Sequence, residues 1–115
     1  MAYKNFQGNV MDYKEIYESW LNDERLCGEA KAELEAVKDN KEEIEYRFGA
    51  ELEFGTAGMR GIIGYGTNMM NVYTVKRATQ GLSEFIKTLP AETNATARGV
   101  VISYDTRLKS DEFAR

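Results

Sequence analysis

Residues 51–61, Glu-Leu-Glu-Phe-Gly-Thr-Ala-Gly-Met-Arg-Gly, concentrate the chemistry of this chain. Gly55, Gly58 and Gly61 frame one hydroxyl, Thr56, and one guanidinium, Arg60. Glycine accepts left-handed torsions and lets a backbone approach a ligand closely. Such a loop can turn its N–H groups inward, and arginine adds a planar donor fork suited to phosphate. Together these are the parts of an anion cradle. The same residues also describe a plain tight turn beside a solvated arginine. The spacing departs from the two common nucleotide loops: Gly55-x-x-Gly58-x-x-Gly61 is not G-x-G-x-x-G, and no Gly-Lys-Ser/Thr follows. After Gly64-Tyr65-Gly66, Met69 stands where a dinucleotide fingerprint needs glycine. ATP and NAD binding are therefore disfavoured.

The elements that must position this loop follow from periodicity. Tyr13, Ile16, Tyr17, Trp20 and Leu21 recur at helical spacing behind Asp12, an N-cap residue, and predict a helix over 13–26 with a core-facing stripe. A sugar-stacking role for Trp20 is the alternative. Gly28 breaks the pattern. A weaker helix is expected over 29–39, with Ala30, Leu34 and Val37 inward and its charges solvated. Asn40-Lys41-Glu42-Glu43 reads as a capping box opening a short helix that carries Ile44 and Phe48 and ends at Gly49. Short extended segments are expected at 52–54 and 62–63, on either side of the glycine loop. Val75, Ala78, Leu82, Phe85, Ile86 and Leu89 then mark a long helix over 72–88, capped by Asn71 or Thr74 and stopped by Pro90. Residues 91–98 form a polar connector without periodicity. The run 99–104, Gly-Val-Val-Ile-Ser-Tyr, has the look of a buried parallel strand. Asp105-Thr106-Arg107 lies just past its end, where open α/β sheets hold ligand contacts. Ser110 is expected to cap a last helix with Asp111 and Glu112 in its first turn. One turn alone does not recover its nucleation cost, so the expectation is a piece of a longer protein.

Composition narrows the classes further. The chain has 115 residues, 43% of them apolar, enough for a core and against global disorder. No run approaches the roughly 18 apolar residues of a membrane span, and the start lacks a signal-peptide core, so a cytoplasmic protein is expected. Cys27 is the only cysteine, which rules out an internal disulfide; it reads as a small half-buried filler rather than a nucleophile. The absence of histidine leaves acid–base work to carboxylates, lysine or tyrosine. The formal charge of −4 is uneven: residues 1–50 hold twelve Asp/Glu against seven Lys/Arg, residues 51–115 seven against eight. Nucleic-acid binding through a broad basic patch is disfavoured. A small anion held by one or two arginines fits.

The string Leu52-Glu53-Phe54-Gly55-Thr56-Ala57-Gly58-Met59-Arg60-Gly61 resembles the opening signature of the α-D-phosphohexomutases, the phosphoglucomutase/phosphomannomutase family. The likeness continues through Gly64-x-Gly66-Thr67-Asn68-x-Met70-Asn71, Thr74-Val75 and Ala78-Thr79-Gln80-Gly81-Leu82. It resumes at Val100-Val101-Ile102 with Tyr104-Asp105-x-Arg107 and closes on Ser110-x-x-Phe113-Ala114. Tyr17-x-x-Trp20-Leu21 is similar to the N-terminal extension of the phosphoglucomutase/phosphopentomutase subgroup. The resemblance implies an α/β fold: residues 1–48 an N-terminal helical arm, and residues 49–115 the first, incomplete part of the α/β/α domain I of a four-domain enzyme. It implies phosphoryl transfer between the 1 and 6 positions of a hexose, or equivalent positions of a pentose, through a phosphoserine, Mg²⁺ and a sugar bisphosphate activator. Thr56, Gly58 and Arg60 would line the cleft as phosphate-binding residues, with Arg60 supporting catalysis by stabilising charge on the moving group. Arg107 would either touch phosphate or brace its loop with Asp105. Met69 departs from the arginine usual at that position, which puts any anion contact there in doubt. The family's Thr-Ala-Ser-His-Asn-Pro serine motif and Asp-Gly-Asp-x-Asp-Arg metal loop are absent from these residues, so no metal ligand is expected here and the chain alone is expected to be inactive. Its expected partners are a sugar phosphate and the enzyme's remaining domains. Two further classes compete: a non-catalytic phosphate-ester-binding module built on residues 55–61, and a helical interaction protein working through the acidic arm.

Overall fold

Three short helices organise the N-terminal part of the chain, and the first and third begin at a side chain, Asp12 or Asn40, that accepts free backbone N–H groups. The computed structural model describes residues 3–115 and divides between Met70 and Asn71 into two units. In the first, α1 (Tyr13–Leu21) opens with a reciprocal box. Asp12 Oδ1 accepts the Lys14 and Glu15 N–H groups at 2.9 Å each, while Glu15 accepts the Asp12 N–H at 2.9 Å. The helix ends at Leu21 rather than at the expected 26, because Asp23 accepts the Arg25 N–H at 2.9 Å and holds a turn there. A second helix, α2 (Gly28–Ala36), is likewise shorter than the expected 29–39. In α3 (Lys41–Phe48), Asn40 accepts the Glu43 N–H at 3.1 Å, but the box does not close. The Glu43 carboxylate turns instead to Arg47, at 2.8 Å, where a charged donor offers a stronger bond than a backbone amide.

The apolar stripes of these helices meet in one small core. Ala30 and Leu34 are wholly buried, and Ile16, Tyr17, Leu26 and Ile44 nearly so. Phe48 takes Tyr17 and Trp20 edge-on, with ring centroids 5.6 and 5.5 Å away. Full burial of such a ring contributes about 1.5–3 kcal/mol. The Tyr17 hydroxyl donates to the Leu34 carbonyl at 2.9 Å and ties α1 to α2. Burial, reinforced by Glu35, Asp39 and Glu18, pushes the Tyr17 phenol above its ordinary pKa. The Trp20 stripe is thus the core-facing one expected from its spacing.

After the arm the chain forms a minimal antiparallel hairpin, β1 (Phe54–Gly55) and β2 (Gly58–Met59), in register Phe54 to Met59 and Gly55 to Gly58. The extended segments therefore lie inside the glycine loop, not only beside it. Ile63 bridges Met70 in parallel sense, closing the turn 64–70.

The second unit is dominated by α4 (Val72–Thr88), at its expected bounds. Asn71 Oδ1 accepts the Tyr73 and Thr74 N–H groups at 3.1 and 3.0 Å, and Thr74 Oγ accepts the Asn71 N–H at 3.1 Å. The polar connector folds into a 3₁₀ turn (Ala91–Thr93) and the single turn α5 (Ala95–Arg98). Residues 100–104 do not form the expected buried strand. They pair with no strand among the described residues, and Val101 is 95% exposed. A β-ladder needs a neighbouring backbone, and the one sheet among the described residues is the hairpin paired with itself. Nor does Ser110 cap the last helix, α6 (Ser110–Ala114): the cap is Lys109, at φ +65°, while Ser110 Oγ accepts the Asp105 N–H at 3.1 Å. No helix among the described residues is long and apolar enough to cross a membrane.

Candidate phosphate-ester site

The hairpin turn carries Thr56 and Ala57 between the paired glycines, and Gly58 sits at φ +102°, a torsion that any side chain would strain. Glu53, Gly55, Thr56, Ala57, Gly58 and Arg60 line a hollow of about 300 Å³. The structure thereby brings together three of the four expected contacts, Thr56, Gly58 and Arg60. Arg60 is exposed and makes no hydrogen bond or ion pair with the described residues. Its guanidinium is available to an external anion, and Glu53 shares the same lining. Arg60 and Glu53 also border a larger hollow of about 840 Å³ beside Tyr13, Ile16, Phe48 and Leu52.

The base of the hairpin is fastened on both sides to the turn 64–70. On one side the Leu52 N–H donates to the Thr67 carbonyl at 2.9 Å, and Thr67 Oγ donates to Ala50 at 2.6 Å. On the other, the Met70 N–H donates to the Ile62 carbonyl at 2.8 Å. Leu52 lies directly over Gly61, where an added Cβ would stand 2.7 Å from Leu52 Cδ2. Met69 is buried against Gly64, whose Cβ, if present, would meet Met69 Cε at 2.5 Å. The position that is usually arginine in the subgroup is here an apolar packing site.

Sequence reasoning missed the group that holds this turn. Arg47, with its side chain 10% exposed, donates to Glu33 Oε1 at 2.5 Å, to Glu43 Oε1 at 2.8 Å and to the Tyr65 carbonyl at 2.9 Å. Glu33 Oε1 also accepts the Tyr65 N–H at 3.1 Å. Burial is the largest influence on the Arg47 guanidinium and pushes its pKa down, but Glu33 and Glu43 together outweigh it and the net direction is up. The signal was present: Arg47 falls within the Ile44 and Phe48 stripe, four residues after Glu43.

Arg107 lies in the other unit and is exposed. Its Nε donates to Asp105 Oδ2 at 2.7 Å and its N–H to Asp105 Oδ1 at 3.0 Å, which is loop bracing. The Arg107 N–H, together with its guanidinium and Ser110, outweighs the opposing effect of burial and holds the Asp105 carboxyl below the usual carboxylate range. Cys27 is exposed rather than half-buried, with its Sγ 3.8 Å from the Tyr65 hydroxyl. Among the described residues no group of three or more Cys, Asp or Glu side chains could hold a metal ion.

Residues 51–115 match the family model described as phosphoglucomutase/phosphomannomutase, alpha/beta/alpha domain I. The chain belongs to this family, and its fold class is the α/β class of that domain. It is 42% identical over 79 residues to a phosphopentomutase from Homo sapiens, covering 64% of this chain and 13% of that protein. It is 43% identical over 70 residues to a phosphoglucomutase from Staphylococcus haemolyticus (strain JCSC1435), covering 61% of this chain and 12% of that protein. The matched region therefore spans only 12–13% of the length of these relatives. No solved structure matches the chain.

Proposed function

We propose that this chain supplies one wall of the active cleft of a phosphosugar mutase that interconverts sugar 1- and 6-phosphates, or pentose 1- and 5-phosphates. Residues 1–48 act as a helical arm and residues 49–115 as the first part of domain I. Arg60 binds the phosphoryl group and stabilises its charge during transfer, while Thr56 and the Gly58 backbone orient its oxygens. On this reading the phosphoserine donor and the Mg²⁺ ligands come from other segments of the enzyme, as the family's Thr-Ala-Ser-His-Asn-Pro and Asp-Gly-Asp-x-Asp-Arg strings do not occur in these residues. The family's need for a sugar bisphosphate activator and a cytoplasmic setting belong to the same reading. The observation that carries it is the guanidinium of Arg60, which has no partner among the described residues, beside the Thr56–Gly58 turn. The missing serine motif favours a second reading for the 115 residues by themselves: a phosphate-ester-binding module without turnover, in which Arg107 also could contribute once released from Asp105.

Titration of the chain with glucose 1-phosphate, followed by NMR, tests both. We expect shifts at the amides of residues 55–61 and at the Arg60 Nε, with no conversion to glucose 6-phosphate. Unmoved resonances at millimolar ester would reject the phosphate site. Turnover by the isolated chain would reject its inactivity.

A further inference from the structure

We infer that Glu33 and Arg47 are positioning residues for the glycine hairpin, acting through the turn 64–70. One carboxylate oxygen, Glu33 Oε1, is shared between Arg47 Nη1 and the Tyr65 N–H, so α2 fixes both α3 and the first part of the turn. Arg47 then grips the turn twice. Its guanidinium reaches the Tyr65 carbonyl at 2.9 Å, and its own carbonyl accepts the Asn68 N–H at 2.9 Å. The glycine at 66 allows this approach, because a Cβ there would stand 2.7 Å from the Arg47 carbonyl oxygen. From the turn, Thr67 holds Leu52 and Met70 holds Ile62. These two residues are the ends of the segment that carries Thr56, Gly58 and Arg60.

The route from arm to site is thus a short series of hydrogen bonds, each within one compact unit. Fixing two helices to each other would not require a buried guanidinium, since a buried ion pair is often no more stabilising than apolar packing. Placing a turn is different: it needs donors and acceptors at set positions, and Arg47 with Glu33 provides them. Glu43 keeps Arg47 paired when Glu33 is altered, which leaves the arm a partner for its charge.

The effect on ligand binding rests on the proposed phosphate site; the effect on the loop does not. Native-state hydrogen exchange would be compared in the parent chain, Glu33→Ala and Glu33→Gln, together with glucose 1-phosphate titrations. Glutamine keeps an oxygen where both donors need one. Glu33→Ala should speed exchange at the Leu52 and Met70 amides, which Glu33 does not touch, about tenfold, and weaken ester binding about threefold. Glu33→Gln should stay within about twofold of the parent on both measures. The Trp20 indole resonance, a reporter of the Phe48 contact, should not move in either variant. Unchanged exchange in Glu33→Ala, equal loss in Glu33→Gln, or a Trp20 shift showing that the arm itself has loosened would each overturn the inference. A parent chain that ignores glucose 1-phosphate would sink the phosphate site alone, because the exchange comparison still decides the positioning role.

Discussion

Arg60 and Arg107 are both exposed arginines in the family's motifs, but their surroundings separate them. Arg107 is bonded to a carboxylate, whereas Arg60 makes no hydrogen bond or ion pair with the described residues and borders an open hollow. Replacing Arg60 by alanine removes a charge-assisted contact of about 1.5–3 kcal/mol, so affinity for glucose 1-phosphate should fall roughly tenfold to a hundredfold. Stability should stay within about 0.5 kcal/mol of the parent in urea unfolding, because no internal bond is lost. Asp105 makes a prediction of opposite kind. Its carboxyl is held below the ordinary value in the folded chain, so its contribution is present above the unfolded-state range and is lost as pH falls through the folded value. An acid titration by NMR should show the Arg107 amide leaving its bonded shift only below the normal aspartate range. Arg47 shows where residue-level reading stops. Its spacing from Glu43 is visible in the sequence, but the same spacing describes an exposed pair on any helix. What sets it apart is its bond to the Tyr65 carbonyl, eighteen residues away.

Local chemistry decided the helices, so they were legible. Asp12, Asn40 and Asn71 each cap where their side chains and the following stripes indicate. For α4 both bounds follow from sequence, because Asn71 and Thr74 satisfy each other at one end and Pro90 stands beyond the other. Asn71→Ala should therefore cost about 1 kcal/mol and shorten α4 at its start, as measured by denaturation and by Tyr73 and Thr74 amide shifts. Helix ends governed by turns were less legible: the Asp23 to Arg25 bond cuts α1 short of its hydrophobic pattern. Strands fared worst, since pairing is not a local property. The apolar run 100–104 can be recognised as strand-like, but only a neighbouring backbone makes it one. The hairpin was missed for the converse reason. Its strands are two residues each, too short for any alternation to appear.

At the scale of the whole chain, the acidic excess lies in residues 1–50 and Arg60 beyond it, so the charge division visible in composition separates the helices from the proposed phosphate site. The family was legible because its signatures occur in order along the chain, and the match over residues 51–115 agrees with them. The holding role of the arm was not, because it depends on contacts between segments that sequence spacing does not join. The small hollow has one further consequence. Its charged lining is Glu53 and Arg60, and the chain contains no histidine, the side chain that ordinarily titrates between about pH 5 and 8. A phosphate monoester gains its second negative charge at about pH 6. Glucose 1-phosphate should accordingly bind more tightly as pH rises from about 5 to 7 and then level off, with a midpoint that follows the ester rather than the protein. Calorimetry with a second ester of different acidity would check this, since the midpoint should move with the ligand. In such a site the proton sensor arrives with the guest.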